Sequence, residues 1–116
     1  MTDAPVSVAP AVADALAAGQ PVVALESTVY STLGLPVPHN RAVLDASRAA
    51  IVDGGATPAL TAIINGQPVV GVEDAESLLT ATDKVAARDI AVAVAQKWPV
   101  GVTTVGASLT LSLIHI

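Results

Sequence analysis

The sequence predicts an α/β fold built in layers, and three observations support this prediction. Two short apolar runs, Pro21 to Leu25 and Pro58 to Ile64, are typical of buried strands. Around them, apolar residues recur at helical spacing in segments that end at glycines. An Asn65-Gly66 pair followed by Val69-Val70 is the pattern of a tight hairpin with a returning strand. Strands that alternate with helices in this way indicate helices packed on a sheet.

The first half of the chain predicts two helices. Residues 1 to 6 are expected to form a loose tail, after which a first helix runs to a stop at Gly19. The apolar face of this helix comprises Val8, Val12, Ala15 and Leu16. Asn40 is predicted to cap a second helix, which ends at Gly54-Gly55. The inner face of the second helix comprises Leu44, Ser47 and Ile51.

The second half predicts shorter elements. Glu73 to Leu79 is predicted to be a helix whose acidic start suits the positive end of the helix dipole. Lys84-Val85 is predicted to be a short link. Arg88 to Lys97 is predicted to be a helix because apolar residues recur four apart, but the alternation within Ile90 to Val94 leaves a strand open. Val100 to Val102 is predicted to be a strand that leads through two threonines into a last helix.

Composition limits the classes of function. The chain has 116 residues and is 53% hydrophobic, which is enough for one small domain with a core. Its net charge is −5 and its five basic residues are scattered, which argues against binding nucleic acid through a basic face. Without cysteine, the chain has no disulfide, thiolate metal site or thiol nucleophile. We therefore expect an intracellular enzyme.

The two ends of the chain raise questions of targeting and origin. Asp3 comes early and no long apolar run follows it, so no signal peptide is expected. The uncharged segment from Trp98 to Ile116 contains Pro, Gly, Ser and Thr, which favours burial in protein over a membrane span. The codons CTG TCT CTT ATA CAC ATC would encode Leu111 to Ile116 and resemble the mosaic end of a transposase-based sequencing adapter. We therefore expect residues 111–116 to be a non-native tail.

Glu26 is the first candidate catalytic residue. The predicted strand before it delivers one carboxylate into a loop rich in hydroxyls, Gly and Pro. A charge in such a place is costly unless chemistry or a cation uses it. A carboxylate held away from bulk water can donate and accept protons near neutral pH. The alternative is an idle, solvated glutamate at a strand end.

Lys84 is the second candidate, and two functions suit it. Its amine could anchor a phosphate or form an imine with a carbonyl carbon. The alternative is a solvated lysine, with Asp83 or Asp89 pairing either Lys84 or Arg88.

The segment from Gly101 to Ser108 is the third candidate. Small residues before a helix expose backbone N–H groups and hydroxyls that suit an anion or a sugar. The alternative is ordinary helix capping by Thr103 or Thr104. His39 and His115 lie too far apart in the sequence to suggest a metal site.

Four sequence blocks follow one another between Pro21 and Leu109 and just beyond. They are VVALESTVYSTLGLPVPHN, DGGATPALTAIINGQPVVGV, KVAARDIAVAVAQKWPVGVTTV and GASLTL. In this order and spacing they resemble the pseudouridine-5′-phosphate glycosidases, the family that also contains the indigoidine-synthase A proteins. The chain departs from the common family pattern at Thr32-Leu33, where a His usually precedes the glycine that is Gly34 here.

The resemblance implies a layered α/β/α sandwich, of which residues 1–110 would form a truncated N-terminal portion of a single glycosidase domain. The implied activity is reversible cleavage of the C–C glycosidic bond of pseudouridine 5′-phosphate to uracil and ribose 5-phosphate, through a ring-opened lysine imine. By position in the motifs, Glu26 would be the general acid/base. Lys84 would contact the sugar phosphate, and Val105 would contact the substrate through its backbone.

The resemblance also implies features that lie outside this chain. The imine-forming lysine and an aspartate that binds a manganese ion are both expected beyond Thr110, so we expect this chain alone to be inactive. The whole protein would be a cytoplasmic homotrimer that binds small molecules and neither nucleic acid nor membrane. Two alternatives stay open: a sugar-phosphate-binding module without catalysis, and a homologue that acts on another nucleoside phosphate or in pigment biosynthesis.

Overall fold

A computed structural model describes residues 6–115 of the chain. Six strands form one mixed sheet that is covered by helices on both faces. The strands are β1 (Ser7–Val8), β2 (Val22–Leu25), β3 (Thr57–Ile64), β4 (Gln67–Val70), β5 (Lys84–Val85) and β6 (Val100–Thr103). The helices are α1 (Pro10–Ala17), α2 (His39–Asp53), α3 (Glu76–Leu79), α4 (Ile90–Ala95) and α5 (Val105–His115). Thr28–Tyr30 and Ala87–Asp89 form single turns of 3₁₀ helix.

Strand β3 organises the sheet because it pairs with three other strands. Its first half pairs in parallel with β2, and its second half pairs antiparallel with β4 on one side and β6 on the other. Strand β1 extends the sheet beyond β4, and β5 extends it beyond β6. Strands β2 and β6 lie along the same side of β3 and run towards each other, so their carboxyl ends meet head to head.

The core lies on both faces of β3, since successive strand residues point to opposite sides. Leu60 and Ala62 face a cluster that includes Leu44 of α2 and Leu78 of α3. On the opposite face, β3 packs against α1, α4 and α5, through two clusters that contain Val12, Ala59, Val70 and Leu111, and Ile63, Val85 and Ala93. The predicted α/β/α layering is confirmed.

Several predicted elements are confirmed. Asn65 and Gly66 form the two-residue hairpin turn with φ of 50° and 73°, the left-handed values that such a turn requires. Helix α1 ends before Gly19, which has a φ of 69°. The segment around α4 is helical, so the alternative of a strand at Ile90 to Val94 is wrong: Ala93 and its neighbours pack a helical face on the sheet.

Asn40 is not the cap that the sequence predicts, because α2 begins at His39. Its side chain is 1% exposed and donates two hydrogen bonds, to the carbonyl oxygens of Tyr30 and Leu79, each at 3.0 Å. The first carbonyl ends the 3₁₀ turn at Tyr30, and the second ends α3 at Leu79. Among the described residues no other donor is found for them, so one amide NH₂ group satisfies both.

Two strand predictions also need correction. Lys84-Val85 is a strand rather than a link, because its backbone pairs with the edge of β6. Strand β2 is half-buried rather than buried: it pairs with β3 on one side only, and the Val23 side chain is 40% exposed. The loop after Glu26 is irregular as predicted, except for the 3₁₀ turn at Thr28–Tyr30.

Parts of both terminal segments lie within the described residues. Of the tail predicted at residues 1 to 6, only Val6 belongs to the described residues. Of the segment 111–116 that is predicted to be non-native, all residues except Ile116 are described. Leu111 is 1% exposed and packs in the core, and the origin of this segment stays a prediction. Within residues 6–115, no helix has both the length and the hydropathy that a membrane crossing requires.

Candidate functional site

The carboxyl ends of β2 and β6 meet at a junction that two fully buried residues, Ser27 and Thr103, hold together. The Ser27 amide donates to the Thr103 carbonyl oxygen at 3.1 Å and to Thr103 Oγ1 at 3.3 Å. The Thr103 amide donates in return to Ser27 Oγ at 2.8 Å, and the two hydroxyl oxygens lie 3.1 Å apart. Two strand ends that are distant in sequence are therefore locked to each other.

Thr61 and Ser108 extend this junction into a network of buried hydroxyls. Thr61 Oγ1 lies 2.8 Å from Thr103 Oγ1 and 2.9 Å from Ser108 Oγ, and it donates to the Leu25 carbonyl at 3.0 Å. Ser108 Oγ donates to the Thr104 carbonyl at 2.9 Å. Because buried hydroxyls that are hydrogen-bonded to one another specify a single arrangement, this network fixes β2, β3, β6 and α5 together.

Glu26 is the residue between the end of β2 and this junction. It is half-buried, and its neighbour Ser27 is fully buried. No hydrogen bond or ion pair within the described part of the chain engages its carboxylate. The carboxylate is thus held at a rigid strand end while its oxygens stay available to a ligand.

Lys84 lies one strand away from the junction. It pairs in register with Val102, while its neighbour Val85 pairs with Thr103. Its side chain is exposed and forms no ion pair with any described residue. Asp89 forms no ion pair with Lys84 or Arg88 in the part of the chain that the structure describes. Its carboxylate accepts instead from the Ala86 amide at 3.0 Å. The ammonium group is therefore available to an anion.

Val105 begins α5 directly after the junction and is 59% exposed. Thr104 Oγ1 accepts from the Ala107 amide at 3.3 Å, which is the capping role considered for the TTV turn. Thr103 has a different role, since its side chain belongs to the hydroxyl network. One threonine of the turn therefore caps the helix and the other joins the strands.

The structure places the immediate neighbours of the three predicted site residues around Thr103. Glu26 adjoins Ser27, Lys84 adjoins Val85, and Val105 follows Thr104, and all three neighbours lie against or next to Thr103. Ser108 lies at the end of the third candidate segment, whereas the sequence alone did not single out Thr61 as a site residue. A signal was present in β3, where Thr61 is a lone hydroxyl inside the apolar run Pro58 to Ile64.

A metal site would need several His, Asp or Glu side chains close together. Among residues 6–115, no group of three or more His, Asp or Glu side chains is arranged to hold a metal ion. His39 is exposed at the start of α2, far in sequence from the junction residues of β6. The described residues therefore do not fit a complete manganese site.

Comparison with known proteins agrees with this fold. The family model described as "Indigoidine synthase A like protein" matches residues 11–115. A pseudouridine-5′-phosphate glycosidase from Herpetosiphon aurantiacus is 50% identical over 108 residues, which cover 90% of this chain and 35% of the relative. A relative of the same name from Myxococcus xanthus is 48% identical over 103 residues and is covered to 33%.

A solved structure extends the comparison to the fold. The prealnumycin C-glycosynthase AlnA, solved in complex with ribulose 5-phosphate, superposes with a TM-score of 0.82 at 31% identity. The superposition covers 97% of this chain and 37% of that one. This chain spans about a third of the length of the relatives that it matches.

Fold and site together define an α/β/α protein with a polar site at the meeting ends of two strands. The chain belongs to the family of indigoidine synthase A-like proteins, because the family model covers nearly all of it.

Proposed function

We propose that this chain is the N-terminal part of a pseudouridine-5′-phosphate glycosidase and supplies that enzyme's proton donor and part of its sugar-phosphate subsite. The observation that carries the proposal is the junction itself. Around it lie the immediate neighbours of an available carboxylate, of an available ammonium group and of the first residue of a helix. The names of the relatives, at 48 to 50% identity, support the same activity.

Each of the three residues has a distinct proposed role. The Glu26 carboxyl gives a proton to the uracil carbon as the C–C bond breaks, and its carboxylate takes that proton back in the reverse reaction. The Lys84 ammonium binds the phosphate of the substrate as a point charge. The backbone at Val105, at the positive end of α5, contacts the same substrate.

The remaining chemistry is proposed to come from the part of the protein outside this chain. A lysine there would attack C1 of the opened ribose and hold it as an imine, which lets uracil leave without a nitrogen leaving group. We assign the family's manganese ion to that part as well, on the resemblance alone. Assembly as a homotrimer and a cytoplasmic location are proposed from the resemblance alone.

The substrate class has independent support from the structural neighbour. AlnA was solved with ribulose 5-phosphate, which is a sugar phosphate, and it shares this fold. The second candidate function is a sugar-phosphate-binding module without catalysis. It is favoured by the exposed Lys84 and the capped start of α5, which need no nucleophile to bind a phosphate.

The test is the substitution Glu26→Gln in the full-length protein. It keeps the shape of the side chain and removes the proton, so release of uracil from pseudouridine 5′-phosphate should fall by about 10²- to 10⁴-fold. Affinity for ribose 5-phosphate, measured by calorimetry, should stay within about twofold, since Glu26 makes no proposed contact with phosphate. Glu73→Gln, an exposed glutamate outside the junction, is the matched control.

The outcomes separate the two candidates. Turnover by the Gln variant at nearly the normal rate would show that Glu26 is not the proton donor. Binding of ribose 5-phosphate by the unaltered full-length protein without any release of uracil would favour the binding module.

A further inference from the structure

Thr103 occupies a central position that none of the three proposed functional residues has. It is the last residue of β6 and is fully buried. Through direct contacts it reaches the neighbours of Glu26 and Lys84, and it precedes Thr104-Val105 in sequence. The side chain and backbone of Thr103 thus link the chain segments that carry the three functional residues.

The connection towards Glu26 is the most extensive. The Thr103 carbonyl accepts from the Ser27 amide at 3.1 Å and from Thr28 Oγ1 at 2.8 Å. The Thr103 amide donates to Ser27 Oγ at 2.8 Å. Both residues that follow Glu26 are therefore bound to the same threonine, which fixes the backbone from which the carboxylate projects.

The connection towards Lys84 runs through the sheet. Val85 pairs in register with Thr103, and the Thr104 amide donates to the Val85 carbonyl at 3.1 Å. Strand β5 is only two residues long, so this pairing and the bond from Val102 to the Asp83 carbonyl, at 2.8 Å, hold Lys84 in place.

The Thr103 hydroxyl is the part of the residue that a valine side chain could not replace. It donates to the Thr61 carbonyl at 2.8 Å and accepts from the Ser27 amide at 3.3 Å. It also lies within hydrogen-bond distance of the Thr61 and Ser27 hydroxyls. Valine has the same shape without these bonds, whereas serine keeps the hydroxyl and loses a methyl group.

We infer that Thr103 is the positioning residue of this site: its hydroxyl holds the end of β2 and, through Thr61 and Ser108, the start of α5, so that Glu26 and Val105 are presented to a sugar phosphate. The inference rests on the proposed function for the identity of the ligand. The arrangement of the strand ends follows from the hydrogen bonds of the Thr103 hydroxyl and does not depend on the proposed function.

The experiment compares Thr103→Val with Thr103→Ser in the full-length protein. Val12→Ala serves as the control for lost stability, because Val12 is equally buried but packs in an apolar cluster. Calorimetry measures the affinity for ribose 5-phosphate. Amide chemical shifts of Glu26, Lys84 and Val105 measure the local geometry.

The expected result is a split between the two threonine variants. Thr103→Val should weaken ribose 5-phosphate binding by about five- to tenfold, as expected for a lost hydrogen bond, and should shift the amides of Glu26 and Val105. The Lys84 amide should change least, because backbone bonds between β5 and β6 hold it. Thr103→Ser should restore both readouts, and Val12→Ala should change neither. Equal losses in the Ser and Val variants, or a Val variant that matches Val12→Ala, would overturn the inference.

Two further results are also decisive. If the unaltered full-length protein does not bind ribose 5-phosphate, the sugar-phosphate subsite of the proposed function fails, and the amide shifts alone decide the role of Thr103. If Thr103→Val does not fold, Ser27→Ala replaces it, since it removes the acceptor of the Thr103 amide. Unchanged amide shifts at Glu26 and Val105 in that variant would contradict the inference.

Discussion

Asn40 shows how much of this fold depends on single buried polar side chains. Its amide donates to carbonyls in the loop after β2 and at the end of α3, and its oxygen accepts from the Arg41 amide at 2.9 Å. Both donors and the acceptor are therefore used, and the group is satisfied although it is almost completely buried.

The substitution Asn40→Asp tests this arrangement. It keeps the size of the side chain but directs a carboxylate oxygen at two carbonyl oxygens, so we expect the free energy of unfolding to fall by about 3 to 5 kcal/mol. Urea denaturation of the 116-residue chain measures the loss. Asp45→Asn, the reverse exchange at an exposed position of the same helix, should have almost no effect, and equal effects would refute the assignment.

Lys84 provides a second prediction at this scale. In the full-length protein, Lys84→Ala should raise KM for pseudouridine 5′-phosphate by roughly 10- to 100-fold, because a charge-assisted bond to phosphate is lost, and should leave kcat nearly unchanged. Lys97→Ala is the control, since Lys97 is equally exposed and precedes the opposite end of β6. An unchanged KM would identify Lys84 as a solvated lysine.

Among the elements, the loop after β2 is the most tightly constrained. Leu35 donates to the Val29 carbonyl at 2.9 Å, which folds the loop back on its own 3₁₀ turn. A Cβ atom at Gly34 would overlap the Val29 carbonyl and lie 2.6 Å from Val29 Cα. Only glycine fits at this position, because the neighbouring atoms are backbone and cannot rotate away.

Gly34→Ala should therefore lower the free energy of unfolding by about 1 to 3 kcal/mol through overpacking. Thermal denaturation, followed by circular dichroism, measures the change. Gly106→Ala is the matched control: no atom lies closer than 3.9 Å to its added Cβ, and alanine favours a helix, so the chain should gain up to about 1 kcal/mol. A neutral Gly34→Ala would mean that the loop can rearrange.

The sequence predicts best those elements that local chemistry determines. The hairpin at Asn65-Gly66 needs only the left-handed turn that these residues favour, and the predicted helices follow their apolar spacing. Val8 is the exception: it was predicted on the face of the first helix but lies in β1, before that helix begins. Strand β5 was missed because two residues carry no periodic signal and are held by the edge of β6. The donor role of Asn40 depends on carbonyls that only the folded chain brings near it.

The same distinction applies to the candidate site. Glu26 stands out in the sequence as a charge directly after an apolar strand, and the motif positions of Lys84 and Val105 follow from the resemblance. The hydroxyl network could not be predicted, because Ser27 and Thr103 are common polar residues until the head-to-head meeting of β2 and β6 buries them.

At the scale of the molecule, we propose that this chain contains part of a site. It spans about a third of the relatives that it matches, and its proposed residues cover proton transfer and phosphate binding. The purified 116-residue chain should release no measurable uracil from pseudouridine 5′-phosphate, because the proposed imine-forming lysine lies outside it. A chromatographic assay for uracil tests this, and clear turnover would place a nucleophile within this chain.

The meeting of β2 and β6 has a consequence for biosynthesis. Ser27 leaves the peptidyl-transferase centre 76 residues before its partner Thr103. At about 5 to 20 residues per second, the nascent chain carries the first half of the junction for roughly 4 to 15 seconds before the second half is made. A ribosome-bound intermediate would therefore present Glu26 on an unfinished sheet, and translation must pass Thr103 before this junction can form.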